Sequence, residues 1–99
     1  MKRTKNMYYE VTEESRELVL VAENDGDLYE RQIKPVIKNL QKKYNKGVYD
    51  VDKAVDAYYR IATAASDKYY RDFGYRFSVQ QRFTAAVQLE QDFRDCIVP

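Results

Sequence analysis

DVDKAVDAYYRIATAASDKYYRDFG, residues 50–74, decides the fold. Asp50 can cap a helix start, and Gly74 stands just past its end. Between them Val51, Ala54, Val55, Tyr58, Ile61, Ala62, Ala65, Tyr69 and Phe73 recur at the i, i+3, i+4 spacing of one helical face. The spacing predicts a helix over 51–73. Its run Ala62, Ala64, Ala65, Ser66 is small enough to let a neighbouring helix approach closely.

The flanking sequence repeats the same grammar. Upstream, Tyr29, Ile33, Val36, Ile37, Leu40 and Tyr44 form an apolar stripe that predicts a helix over 27–46, with Gly47 as its stop. Pro35 falls inside this stripe; it lacks an amide donor and its ring meets the carbonyl four residues back, so a disturbance is expected there. Asn24-Asp25-Gly26 marks a turn, and Asp25 or Asp27 can cap the helix after it. Thr12 can cap a first helix over 13–22, with Glu13, Glu14 and Glu17 near the positive end of its dipole. The run Leu18-Val19-Leu20-Val21 is continuous rather than periodic and could also form a short strand, with helix favoured. Downstream, Ser78 and Gln81 match a capping box that opens a fourth helix over 79–94. Its inward face reads as Val79, Phe83, Ala86, Val87 and Phe93, with Glu90 at the rim.

Together these elements make an all-α protein, a small antiparallel bundle of about four helices. Residues 12–96 form a single helical domain, and residues 1–11 are expected to be flexible or extended. Ninety-nine residues leave no room for a second core. Ile37, Leu40, Val55, Tyr58, Ala62, Ala65, Tyr69, Phe83 and Phe93 are the expected core.

Charge is the most informative functional feature. Residues 31–46 carry six positive charges (Arg31, Lys34, Lys38, Lys42, Lys43, Lys46) and no acid, while residues 10–30 carry eight acids and only Arg16. The net charge of +1 thus conceals adjoining blocks of opposite sign. Lys34, Lys38 and Lys42 share one helical face, opposite Ile37 and Leu40. Such a row can follow phosphates, or meet an acidic protein surface, or simply be solvated. A pI near 7.7 is low for a dedicated nucleic-acid-binding domain. Ten tyrosines and no tryptophan add a second theme. Adjacent tyrosines on a helix point about 100° apart. Tyr58 and Tyr69 therefore take the core, while Tyr59 and Tyr70 project sideways with Arg71 beside them, residue types enriched at interfaces.

Catalytic groups are scarce. Histidine is absent, and Cys96, the single cysteine, has no histidine to activate it. The chain reads as a non-enzyme without cofactor, small-molecule substrate or metal; Asn24-Asp25-Gly26-Asp27 lacks the oxygen ligands of a calcium loop and reads as a turn and cap. No apolar run approaches a membrane span, and no secretory hydrophobic stretch follows the basic N-terminus, so a cytoplasmic location without membrane contact is expected.

The segments Asn24-Asp25-Gly26-Asp27-Leu28-Tyr29 and Lys46-Gly47-Val48-Tyr49-Asp50, with Tyr69 and Phe73 beyond, resemble a group of small uncharacterised proteins of bacteriophages and mobile elements. The resemblance spans roughly residues 18–75 and carries over no binding residue. It implies a phage-type accessory protein acting in the cytoplasm of a bacterial host. The expected mode of action is non-covalent binding of a macromolecule, a protein or a second copy ahead of nucleic acid. The candidate contacts are Arg31, Lys34, Lys38, Lys42, Lys43, Lys46, Tyr59, Tyr70 and Arg71.

Overall fold

The computed structural model describes residues 12–97; the expected flexible or extended segment at residues 1–11 lies outside the described residues. Five helical segments succeed one another: α1 (Glu13–Asn24), α2 (Gly26–Leu28), α3 (Lys34–Asn45), α4 (Val51–Phe73) and α5 (Val79–Ile97). A π-helical turn, Tyr29–Ile33, joins α2 to α3. Leu28, Tyr29, Ile33 and Lys34 all keep right-handed helical dihedrals, so α2, the π turn and α3 form one rod and the bundle has four. No strand occurs among the described residues.

The caps explain why each helix begins where it does. Thr12 and Ser15 satisfy each other reciprocally at the start of α1: the Ser15 amide donates to Thr12 Oγ1 (3.1 Å) and the Thr12 amide to Ser15 Oγ (2.9 Å). Asp25 Oδ1 accepts from the Leu28 amide at 2.9 Å and opens α2. Asp50 does the same for Lys53 at 3.2 Å and opens α4. At α5 the Gln81 amide donates to Ser78 Oγ (3.0 Å) while the Ser78 amide donates to Gln81 Oε1 (2.8 Å). Gly47 and Gly74, both at φ 76°, turn the chain out of α3 and α4 in the left-handed conformation that a side chain would oppose.

The disturbance expected at Pro35 takes a definite form. In an α-helix its ring would press on the carbonyl of Arg31. The turn directly before it is widened, so that the Lys34 amide reaches back five residues to the Tyr29 carbonyl. The helix absorbs the proline by loosening one turn rather than by breaking.

α4 and α5 make the most extensive contact in the molecule. They are antiparallel: Tyr49 meets Phe93, Thr63 meets Arg82 and Tyr69 meets Phe77, descending along one helix as they climb the other. α1 packs against both. Small residues let the helices approach closely, with Ala54, Ala62, Ala65 and Ser66 buried on α4 and Thr84, Ala85 and Ala86 buried on α5. α3 is the outlying element. Only Leu40 is buried on it, while Val36 and Ile37 pack part-buried against the core.

Several expected core members differ from expectation. Leu40, Tyr58, Ala62, Ala65 and Phe93 are buried, but Ile37, Val55 and Tyr69 are only half-buried. Phe83 is 37% exposed and Val79 63%, whereas Glu90, read as a rim residue, is 1% exposed. These three occupy one stripe of α5, and Tyr49 covers only its Glu90 end by a hydrogen bond. The stripe therefore runs from a covered end to an open one. Val51 and Phe73, the first and last members of the α4 stripe, are exposed for the same reason: each lies at a helix end, past its neighbours.

This distribution predicts unequal costs for two similar substitutions. Phe93→Ala should destabilise by about 3–5 kcal/mol, because a stacked, buried ring is lost. Phe83→Ala should cost about 1 kcal/mol, the centre of the range for a point change without a cavity. Urea denaturation midpoints of the two variants check the order.

Candidate functional site

The expected contact residues do not share one surface. Arg31, Lys34, Lys38, Lys42, Lys43 and Lys46 share the rod of the π turn and α3, and all but the part-buried Lys43 are exposed. The lysine row lies opposite Leu40, as the helical period requires. Its two N-terminal members are engaged: Arg31 Nε lies 3.1 Å from Asp27 Oδ1, and Lys34 Nζ lies 3.5 Å from Glu30 Oε2. Both pairs are exposed and add little stability, but they neutralise that end of the row. Lys38, Lys42, Lys43 and Lys46 have no ion pair among the described residues. The free positive charge is concentrated in the last three turns of α3 and the residue after it.

Two shallow depressions flank these lysines. One, of about 650 Å³, is lined by Pro35, Lys38, Asn39, Gln41, Lys42 and Asn45. The other, of about 500 Å³, lies toward α4, where Lys43, Lys53 and Arg60 alternate with Asp50 and Asp56. The positive field is thus continuous on the outer side and mixed on the inner side.

The acidic block is only partly spent within the molecule. Asp25 bonds Lys68 Nζ at 2.6 Å, and that bond together with the Leu28 amide holds its carboxyl below the usual carboxylate range. Glu13, Glu14 and Glu17 are exposed, with no ion pair among the described residues. They border the aromatic end of the bundle, where they share a depression of about 300 Å³ with Tyr69, Tyr75 and Phe77.

Tyr70 and Arg71 belong to this second region, whereas Tyr59 lies about three turns earlier on α4 and belongs to neither surface. The Arg82 guanidinium lies 5.6 Å from the Tyr59 ring centre and that of Arg76 lies 4.0 Å from Tyr70. Tyr59 is part-buried, while Tyr70 and Arg71 are exposed. Around them Tyr69 touches Phe73 (4.6 Å), Phe77 (5.2 Å) and Tyr75 (6.4 Å), and Tyr75 touches Phe77 at 4.9 Å. Phe77 is buried beneath this cluster and Phe73 is 71% exposed at its edge. The end of α4 therefore presents aromatic surface to solvent, bordered by acids on α1.

A third arrangement was not legible as a site from spacing alone. Glu90 is the one charged side chain among the described residues that is fully buried. Tyr49 Oη donates to its Oε2 at 2.9 Å, Arg94 Nη2 donates to its Oε1 at 3.1 Å, and Arg94 Nε lies 2.7 Å from Oε2. That Nε–H has no well-angled hydrogen bond, so the terminal nitrogen carries the directional contact. Tyr49 stacks on Phe93 (5.7 Å) and meets the edge of Tyr44 (5.7 Å). Burial, then the bond to Glu90, pushes the Tyr49 phenol well above its ordinary value, so it remains a donor. The available signal was Arg94 four residues after Glu90 on a helix that is apolar around it.

Among the described residues, no helix is long and apolar enough to cross a membrane. Comparison with family models, curated proteins and solved structures gave no match for this chain.

Two acids yield opposite predictions. Glu90→Ala should destabilise by about 3–5 kcal/mol, the cost of leaving one partner of a buried pair alone, and Glu90→Gln by much less because Tyr49 keeps an acceptor; chemical denaturation measures both. Glu23 behaves oppositely. Burial, then the charge of Asp92, raises its carboxyl above the usual value, so its favourable contribution is fully present at low pH and is lost as pH rises through that raised value. Glu23→Gln should therefore raise the melting temperature near neutral pH, with the gain vanishing at acid pH, where the native glutamate is protonated.

Proposed function

We propose that this protein acts by non-covalent binding of an acidic protein surface through the C-terminal half of α3. One observation supports the reading above others: Lys38, Lys42, Lys43 and Lys46 are left without ion pairs among the described residues on the element that packs least against the rest of the bundle. A charged row on an outlying rod reaches a partner without disturbing the core. Exposed charges of this kind contribute to encounter rate and orientation more than to stability. The exposed aromatic end, with Tyr70, Phe73 and Arg71, offers a second contact of the type that supplies anchoring residues. The resemblance to phage-type accessory proteins supports a partner in the cytoplasm of a bacterial host. A second copy of the chain, through its unpaired Glu13, Glu14 and Glu17, belongs to the same class of acidic partner.

Nucleic acid is the alternative, and the same four lysines favour it on the outer side of α3. The inner groove weighs against it, because Asp50 and Asp56 stand among Lys43, Lys53 and Arg60 and would repel phosphates.

Reversing Lys38, Lys42 and Lys46 together to glutamate tests the reading. The melting temperature should stay nearly unchanged, since exposed charges stabilise little. A protein retained from nuclease-treated bacterial lysate at about 50 mM salt should be released by about 500 mM, where screening shortens to a few ångströms, and should not be retained by the variant. Retention that nuclease abolishes supports the nucleic-acid reading. Retention by the variant equal to the parent at every salt concentration reduces the row to a solvated face.

A further inference from the structure

The inner side of the same rod closes over a pocket of about 320 Å³. Its apolar wall comes from three elements: Ile33 and Ile37 from the rod, Tyr58 from α4, and Leu89 and Phe93 from α5. The π turn contributes both Tyr29 and Ile33, and such widened turns recur at functional sites. The volume stands at the lower end of the roughly 300–1,000 Å³ typical of small-molecule sites, so it suits a compact guest.

Polar groups border this apolar wall, and all of them favour positive charge. Glu23 from α1 and Asp92 from α5 both line the pocket, and neither has an ion pair among the described residues. Asp92 accepts a hydrogen bond from Gln88 Nε2 at 3.0 Å, which leaves its charge in place. The two carboxylates raise each other's cost: Glu23 is driven toward its neutral form by burial and by Asp92. Tyr58 is 2% exposed, lines the pocket, and makes no hydrogen bond among the described residues. Burial and the surrounding acids, Glu90 first, push its phenol upward, so it stays neutral with its oxygen free to accept. Tyr29, 40% exposed, presents an aromatic ring near the opening.

We infer that this pocket binds a small apolar amine, with the hydrocarbon part against Ile33, Ile37, Leu89 and Phe93 and the ammonium between Glu23, Asp92 and the Tyr58 hydroxyl. An ammonium relieves the repulsion of the two carboxylates and can donate to the Tyr58 hydroxyl oxygen, which lies at the pocket. A carboxylate guest meets two like charges, and a neutral guest gains only the wall. The site is distinct from the lysine row, which faces the other way on the rod, and does not depend on that row having a partner.

Cys96 makes the test simple, because it lines the same pocket, is exposed and is the only cysteine of the chain. The rate of its alkylation by neutral iodoacetamide reports occupancy, and calorimetry on the full chain gives the affinity. The probes are 2-phenylethylamine, its neutral isostere 2-phenylethanol, and 3-phenylpropionate. The amine should protect Cys96 saturably and bind about tenfold tighter than the alcohol, the ratio of one modest charge interaction, with no binding of the acid. Glu23→Gln combined with Asp92→Asn should abolish the preference for amine over alcohol while the melting temperature does not fall. Equal protection by amine and alcohol, no saturable protection by any probe, or an unaltered preference in the double variant overturns the inference. The double variant also separates this site from the lysine row, since it should leave retention by Lys38, Lys42 and Lys46 intact.

Discussion

A buried carboxylate cannot be left alone, and Glu90 is buried on α5, the helix that makes the most extensive contact in the molecule with α4. Taking such a charge out of water costs several kcal/mol unless a partner and hydrogen bonds replace the solvent. Arg94 supplies the counter-charge from one turn further along α5, and Tyr49 supplies a hydrogen bond from the segment between α3 and α4. That second bond carries the architectural consequence. It fixes Tyr49, which stacks on Phe93 and meets Tyr44, and so ties the end of the α3 rod and the start of α4 to the same point on α5. Replacing the trio by apolar residues could be as stable, but it would lose the requirement that one particular tyrosine sit there.

Most of the secondary structure was legible because the caps are local chemistry. Thr12, Asp25, Asp50, Ser78 and Gln81 each make the bond that their position in the sequence implies, and Gly47 and Gly74 adopt the left-handed turn that only glycine adopts cheaply. Burial was legible only where helix ends did not matter. A period of 3.6 assigns residues to a face but not to a height, so it ranked Phe83 with Phe93 although only Phe93 has Tyr49 over it. The same period counted Glu90 as rim because charge normally signals solvent. Which neighbour crosses which end of a helix is a tertiary fact, and that fact decided all three.

The charge pattern was legible as a sum but not as a distribution. Opposite blocks adjoining in sequence suggested either internal pairing or an outward face. Both occur, in different places. Where the blocks meet, residues four apart on one helix pair across a single turn, which consumes Arg31 with Asp27 and Lys34 with Glu30. Beyond one turn no acid remains on the rod, and the later lysines stay unpaired among the described residues. Helix geometry therefore edits the charge block into a shorter one, displaced toward the C-terminal end of α3. There the unsatisfied carbonyls of the helix end also favour positive charge, so four lysines cost less than their mutual repulsion suggests.

Pro35 joins the two faces of the rod. Its ring requires space near the Arg31 carbonyl, and the widened turn before it provides that space. A widened turn adds a residue to the helical cycle, and the side chains before it are thereby rotated relative to those after it. Tyr29 and Ile33, before or within that change of phase, and Ile37, after it, all line the pocket, while Lys38 and Lys42 face outward. In an uninterrupted α-helix the stripe from Tyr29 to Tyr44 would keep one phase, and Tyr29 would not stand at the same angle to Ile37. The widened turn before Pro35 thus sets how Tyr29 and Ile33 are oriented to Ile37, while the helical period of α3 sets Ile37 away from the lysine row.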